Sequence, residues 1–289
     1  MIETKNLCKS YRKSEALIDA SLRFEENKIY GLLGRNGAGK TTLLNCIDGR
    51  IFSSSGEILM DGEPIPENDK KLNDIYLMTE QMLYPENMKI KNIFKWSANF
   101  YPDFDIPYAM RISEKFGLDV NKKSKALSTG YSSILKCVIS LSVNTKYVFF
   151  DEPVLGLDAN HRDLFYRLLI EKFSEEPFTA VVSTHLIDEV ASIIEDVIII
   201  EQGRVLRQDS CEQLLKNGYT ISGRAADVDS FIIGKQILSA DSIGGLKTVC
   251  VMEPLDRSKV PPELDVTKLD LQKLFIQMTN AAEDESKAL

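Results

Sequence analysis

Short blocks of consecutive apolar residues recur along this chain: Ile29-Tyr30-Gly31-Leu32-Leu33, Tyr147-Val148-Phe149-Phe150, Ala180-Val181-Val182 and Val197-Ile198-Ile199-Ile200. Unbroken apolar runs of this length read as strands covered on both faces, which is the habit of parallel sheets. Between them, residues 161–173 and 186–195 read as helical stretches. Strand and helix in alternation predict a mostly parallel sheet with helices on its faces, an α/β architecture.

Before residue 75 the pattern reads as strands, turned at Ser53-Ser54-Ser55-Gly56 and Asp61-Gly62-Glu63-Pro64, with one helix opening at Thr41-Thr42-Leu43-Leu44. From about 75 to 143 the pattern is mostly helical. There Phe94, Trp96, Phe100, Tyr101 and Phe104 have near-helical spacing and predict a packed helical core. Past about residue 211 come a strand at 219–223, a short helix at 228–233, a hairpin from 236 to 252 through Gly244-Gly245, and a helix at 269–279. These form a small C-terminal α+β appendage, expected to cap the core or to contact a second copy. The charged end Glu283-Asp284-Glu285-Ser286-Lys287 predicts a frayed tail. The expected domains are 1–210, with a helical subdomain at about 75–143, and an accessory region at 211–289.

Charge narrows the choice of partners. The chain carries 43 acidic against 35 basic residues, a net charge of −8, and counterion release from a polyanion needs clustered Lys and Arg, so no nucleic acid is expected. No apolar run is long enough to span a bilayer, and the charged start Met1-Ile2-Glu3-Thr4-Lys5 is unlike a secretory signal. A cytoplasmic location follows as the expectation. Cys8, Cys46, Cys137, Cys211 and Cys250 are odd in number, scattered and without C-x-x-C spacing, as expected of reduced core residues.

The candidate chemistry begins at Gly34-Arg35-Asn36-Gly37-Ala38-Gly39-Lys40-Thr41-Thr42, directly after the first apolar run. It satisfies every position of the phosphate-binding loop G-x-x-x-x-G-K-[ST]. Gly34, Gly37 and Gly39 let the backbone approach an anion without Cβ clashes, while the successive amides of the loop curl around phosphate oxygens. The Lys40 ammonium can reach the β and γ phosphates, and the Thr41 hydroxyl can ligate Mg²⁺. A chance glycine loop is the competing explanation, and the strand before it and helix after it argue against that. The run Tyr147–Phe150 ends in Asp151-Glu152-Pro153, a buried strand delivering two carboxylates to its C-terminal edge. Asp151 is placed to hold a metal through water, and Glu152 to polarise the attacking water.

Together these residues resemble one family closely, the ATPase subunits of ABC transporters. The family's signature, usually Leu-Ser-Gly-Gly-Gln, stands here as Leu127-Ser128-Thr129-Gly130-Tyr131, opening the apolar helical stretch from Ile134 to Leu141. Gly156-Leu157-Asp158 resembles the D-loop, Ser183-Thr184-His185 the switch histidine, and Tyr11 stands where the family places the aromatic that stacks on adenine. The resemblance covers about two thirds of the chain. It implies a P-loop NTPase of the ABC-ATPase cassette type: a RecA-like core plus antiparallel β and α-helical subdomains.

Two departures stand out. Thr129 replaces the first signature glycine and Tyr131 the glutamine, which keeps the Ser128 hydroxyl and the helix amides but loses the carboxamide. The Q-loop glutamine is expected after Ile75-Tyr76-Leu77, where a gapless match gives Thr79, followed by Glu80 and Gln81. Any of the three is a candidate, and Glu80 would offer a carboxylate to the metal.

The mechanism the resemblance implies is a nucleotide sandwich. One chain's phosphate loop, Asp151, Glu152 and His185 hold MgATP, and the facing chain closes on the γ-phosphate with Ser128, Thr129 and Gly130. The implied partners are a second ATPase chain, in a homodimer or heterodimer, and a polytopic membrane permease, which would place the chain at the inner face of the cell membrane. Tyr84 with part of the aromatic group would line the groove for the permease's coupling helix. Phe100-Tyr101-Pro102-Asp103-Phe104-Asp105, the altered signature and residues 269–279 look like bacterial exporter ATPases associated with GntR-type regulators, which implies export. A soluble ABC ATPase with a non-transport assembly role is the alternative. A non-catalytic binding module would lack Glu152 or His185, and both are present.

Overall fold

In spatial order, the strands Arg204–Ser210, Asp196–Glu201, Ile29–Leu33, Thr179–Thr184, Tyr147–Asp151 and Ile75–Met78 form a six-stranded sheet. This computed structural model describes residues 1–12, 14–256 and 259–287. Every residue of Ile29–Leu33, Tyr147–Asp151 and Thr179–Thr184 is buried, as the unbroken apolar runs predict for strands covered on both faces. These three strands and Ile75–Met78 pair in parallel, and Ile29–Leu33 pairs in parallel with Asp196–Glu201 on its other side.

A second sheet, in the order Ser14–Phe24, Ile2–Tyr11, Ser55–Met60 and Glu63–Pro64, is antiparallel throughout. The two sheets share one core: Phe24 meets Tyr30 and Phe149 edge-on at 5.3 and 5.6 Å between ring centroids. Such edge contacts add about 0.5–1.5 kcal/mol each to the burial itself. The segment after Met78 carries the helices Ile90–Phe100, Ile106–Lys115 and Thr129–Ser142. Asp105 caps the second of these by accepting from the Tyr108 amide at 2.8 Å, with Pro107 in its first turn where no amide partner is needed.

The aromatic stripe of this segment is only partly core. Phe94 and Phe104 are buried, whereas Trp96 is 37% and Phe100 56% exposed. Helical spacing defines a stripe, and this one is wide enough that its edge faces outward. The helix expected at 186–195 is also shorter than its pattern: it covers Ile187–Val190 and unwinds through a turn before the strand begins at Asp196.

The chain divides into two units, Met1–Gln208 and Asp209–Leu289. The second holds an antiparallel sheet in the order Ile237–Ile243, Leu246–Met252, Gly218–Arg224 and Asp265–Lys268. Ile221, Val228, Val249, Val251 and Leu264 form its core. The edge strand Asp265–Lys268 has no apolar alternation and owes its conformation to pairing with Gly218–Arg224. The last helix runs Leu271–Lys287, through the residues expected to fray.

Candidate functional site

Parallel pairing brings four distant parts of the sequence to one edge. Leu33 stands beside Thr184, Asp151 beside Ser183, and Met78 beside Phe150, so the strands end almost level. The residues that follow those ends, Gly34, His185, Glu152 and Thr79, therefore leave the sheet on the same side. This is the position at which open α/β sheets bind ligands.

The phosphate loop is shaped by what its glycines approach. A Cβ on Gly34 would lie 2.6 Å from the Ile200 carbonyl oxygen, and one on Gly39, at φ +110°, 2.6 Å from that of Ala16. Neither position admits a side chain. Gly39 stands at the N-terminus of the helix Lys40–Ile47, so the first amides of that helix and those of the loop converge on one cavity of about 360 Å³. Asn36, Gly37, Ala38, Gly39, Lys40, Thr41 and Thr42 line it, together with Glu80, Glu152 and His185. Gly34 and Arg35 shape the loop behind this wall, where the Arg35 carbonyl accepts from the Ala38 amide at 3.1 Å.

Lys40 is 6% exposed, and its ammonium donates to the carbonyls of Gly34 at 2.6 Å and Arg35 at 3.2 Å. Burial lowers its pKa from the ordinary lysine value, while the charges of Glu152, Asp151 and Glu201 oppose that shift. A buried, partly compensated cation inside a ring of amides is a strong attractor for phosphate.

The two carboxylates of the adjacent strand have different surroundings. Asp151 is buried and accepts from Ser183 Oγ at 3.0 Å and from the Thr41 hydroxyl. Burial raises its pKa, the bonds from Thr41 and Ser183 oppose this, and the charges of Glu152 and Glu80 add to it. Glu152 has φ 49°, a left-handed conformation that costs a non-glycine residue about 1–2 kcal/mol. Its surroundings hold it there: its amide donates to the Ser183 carbonyl at 2.9 Å, and its carboxylate accepts from His185 Nδ1 at 3.0 Å. One oxygen lies 3.8 Å from Lys40 Nζ. Held in that conformation with its carboxylate lining the cavity, Glu152 is a candidate for a working group.

Of the three Q-loop candidates, Glu80 alone lines both the phosphate-loop cavity and the adjoining one that holds Thr41 and Asp151. Thr79 and Gln81 share the adjoining cavity but also line a groove on the far side, with Tyr84, Trp96 and Phe100. Lys136, from the helix Thr129–Ser142, donates to the Glu80 carbonyl at 2.7 Å and reaches the same groove. Sequence motifs do not single out Lys136; the one signal was a basic residue within an otherwise apolar helical stretch.

Ser128, Thr129, Gly130 and Asp158 do not line the phosphate cavity. Ser128 caps the helix Thr129–Ser142, its hydroxyl accepting from the Tyr131 amide at 3.3 Å. Gly130 packs against the turn at Gly156, where a Cβ would meet the Gly156 carbonyl at 3.1 Å. Asp158 caps the helix Ala159–Glu175 and bonds the His161 ring at 2.9 Å. That ring stacks on Phe116 at 6.0 Å and meets Tyr131 edge-on at 6.4 Å between centroids, so His161 links the turn to the residue that replaced the signature glutamine. Tyr11 also stands outside the cavity, 48% exposed at the end of its strand, where Ala16 of the neighbouring strand forms the cavity wall.

Comparison with known proteins agrees with this geometry. Residues 17–155 match the sequence model of the ABC transporter family. The chain is 29% identical to the ABC transporter ATP-binding protein YtrB of Bacillus subtilis (strain 168) over 283 residues, covering 96% of this chain and 97% of that one. It is 28% identical to the lantibiotic transport ATP-binding protein SrtF of Streptococcus pyogenes over 232 residues, 75% of this chain and 96% of the relative. Among solved structures it resembles a dimeric ATP-binding cassette in a post-hydrolysis state bound to ADP and phosphate, at TM-score 0.64 and 24% identity, over 73% of this chain and 98% of that one. The last likeness shows the fold.

Proposed function

We propose that the chain, whose residues 17–155 match the ABC transporter family, is a single-cassette ATP-binding subunit and an ATPase, and that two such subunits close on two ATP molecules and couple their hydrolysis to transport through a separate membrane subunit. The observation that carries this reading is the half-built site. The phosphate loop, Glu152 and His185 share one cavity, while Ser128 and Gly130 of the same chain lie outside it. A facing copy of the chain would supply them, as Ser128 and Thr129 are exposed at the start of its helix Thr129–Ser142.

In this mechanism the loop amides and Lys40 hold the β and γ phosphates. Glu152 accepts a proton from the attacking water as the water oxygen bonds the γ-phosphorus and the bond from that phosphorus to the bridging oxygen breaks; the proton passes on to the phosphate formed, and ADP leaves with it. His185, held against Glu152, contacts the γ-phosphate when Glu152 turns to the water. Tyr11 stacks on adenine, at the rim where the cavity opens outward, and Asp158 meets the facing subunit.

The donor set fits Mg²⁺. Glu152 and Asp151 act on the Lys40 ammonium and Glu80 acts on Asp151, so carboxylates gather beside the Thr41 hydroxyl, a set of oxygen donors that suits a hard cation. Among the described residues no three acidic, His or Cys side chains preassemble a metal cage, so the ion would share its ligands with phosphate. Thr41 and Glu80 would hold it directly and Asp151 through water. When bound it neutralises charge on the β and γ oxygens.

A membrane partner is favoured over a freely soluble role by the aromatic groove, which exposes Trp96 and Phe100 beside Tyr84. No helix among the described residues is long and apolar enough to cross a membrane, so this groove would be the contact with the permease, at the cytoplasmic face. Export is the direction we infer, on the likeness of residues 100–105 and the altered signature to exporter ATPases. Trp96→Asp is expected to abolish co-flotation of the chain with membranes from permease-expressing cells and to leave ATP turnover in solution unchanged. Undiminished flotation would move the contact elsewhere.

Lys40→Ala tests the nucleotide site itself. Loss of a charged donor to phosphate should weaken ATP binding by about 10–100-fold. Titration with a fluorescent ATP analogue reads it, and an unchanged affinity would remove Lys40 from the site.

A further inference from the structure

We propose that Lys136 is a positioning residue for the nucleotide site: its ammonium holds the segment 79–81 so that the Glu80 carboxylate faces Thr41 and Asp151, and it fastens that segment to the helix carrying Gly130. The inference rests on the nucleotide-site reading above and adds to it a residue outside the family's motifs.

Three observations carry it. Residues 79–81 follow the last residue of the strand Ile75–Met78 and belong to neither helix nor strand, so ladder bonds do not fix their course. The tethers described for them are the bond from Lys136 Nζ to the Glu80 carbonyl at 2.7 Å and a long contact from Thr79 Oγ1 to the Gln81 carbonyl at 3.4 Å. Second, Lys136 is half-buried on a helix whose neighbouring residues Leu135, Cys137 and Val138 are buried. An ammonium placed there is tolerated only with a good acceptor, and the Glu80 carbonyl is that acceptor. Third, the two partners border different spaces: Lys136 lines the aromatic groove, and Glu80 lines the cavities of the phosphate loop and of Asp151.

One hydrogen bond therefore joins the wall of the groove to the wall of the nucleotide site. Because it ends on the main-chain oxygen, it orients Glu80 without using the carboxylate, which stays available as a ligand. A tilt of the helix Thr129–Ser142 moves Lys136 and with it the Glu80 backbone, so a partner in the groove and the metal ligand answer to the same helix.

The test is a double-substitution cycle on Mn²⁺ binding to the full chain with the β,γ-imido analogue of ATP, read by water-proton relaxation. Lys136→Met and Glu80→Ala should each weaken Mn²⁺ binding by about 10–100-fold. The double variant should be no weaker than the weaker single, and Lys136→Arg, which keeps the donor, should retain the wild-type affinity. Analogue binding in EDTA is expected to stay at the wild-type value in Lys136→Met; if it falls in step with the Mn²⁺ affinity, the lysine is structural and the proposal is overturned. Unaltered Mn²⁺ binding in Lys136→Met, or losses that multiply in the double variant, overturn it equally. A wild-type chain that binds neither ion nor analogue would instead sink the nucleotide-site reading.

Discussion

Glu152→Gln is expected to keep ATP binding, lose hydrolysis and accumulate as an ATP-bound dimer. The carboxamide preserves the shape of the side chain and still offers an oxygen to His185 Nδ1, now 3.0 Å from the carboxylate. What would disappear is the charge proposed to polarise water, and removal of a general base costs roughly 10²–10⁴-fold in turnover. ATP affinity should hold or improve, because the lost carboxylate stands 3.8 Å from Lys40 and competes with phosphate for it. In the proposed cycle, where ATP drives closure and its hydrolysis reopening, the closed dimer would have no exit. Light scattering with ATP and Mg²⁺ should report a dimer for the variant and mostly monomer for the wild type after turnover. A variant that hydrolyses at the wild-type rate, or stays monomeric with ATP bound, would take Glu152 out of the mechanism.

The reach of the sequence had a physical limit at each kind of contact. The phosphate loop and the pair Asp151-Glu152 are local features: a few consecutive residues at the end of an apolar run, legible because strand burial and loop chemistry are both written within ten positions. Their meeting is not local, and follows from strands whose ends lie level at Leu33, Thr184 and Asp151. Glu80 could not be separated from Thr79 and Gln81 in the sequence, since adjacent loop residues differ only in where the backbone turns after Met78. Lys136 belongs to no motif, and its acceptor, the Glu80 carbonyl at 2.7 Å, lies in a loop 56 positions away. Trp96 and Phe100 share the helical spacing of Phe94, yet spacing does not say how far around the helix the covering layer extends. The strand Asp265–Lys268 is induced by its neighbour and carries no pattern of its own.

Ser128→Arg is expected to abolish turnover while leaving ATP binding to the isolated phosphate loop nearly intact. Ser128 does not line the cavity formed by its own chain, so an arginine there cannot obstruct the loop beside Lys40. It would instead place bulk and charge in the contact with the facing subunit, where the Ser128 hydroxyl and the Gly130 amide are proposed to meet the γ-phosphate. The Tyr131 amide would lose its cap, at 3.3 Å, which costs about 1 kcal/mol and leaves a helix otherwise held by buried Ile134, Leu135 and Val138. Complementation separates the two kinds of damage. When Ser128→Arg chains are mixed with Lys40→Ala chains, one composite site of the mixed dimer takes its phosphate loop from the first and its signature from the second, and is intact. The other carries both lesions. Activity that is absent from either variant alone and returns on mixing requires that Ser128 act across the dimer. Wild-type turnover in Ser128→Arg alone would sink the two-chain site, and loss of ATP binding in that variant would place Ser128 within its own chain's site instead.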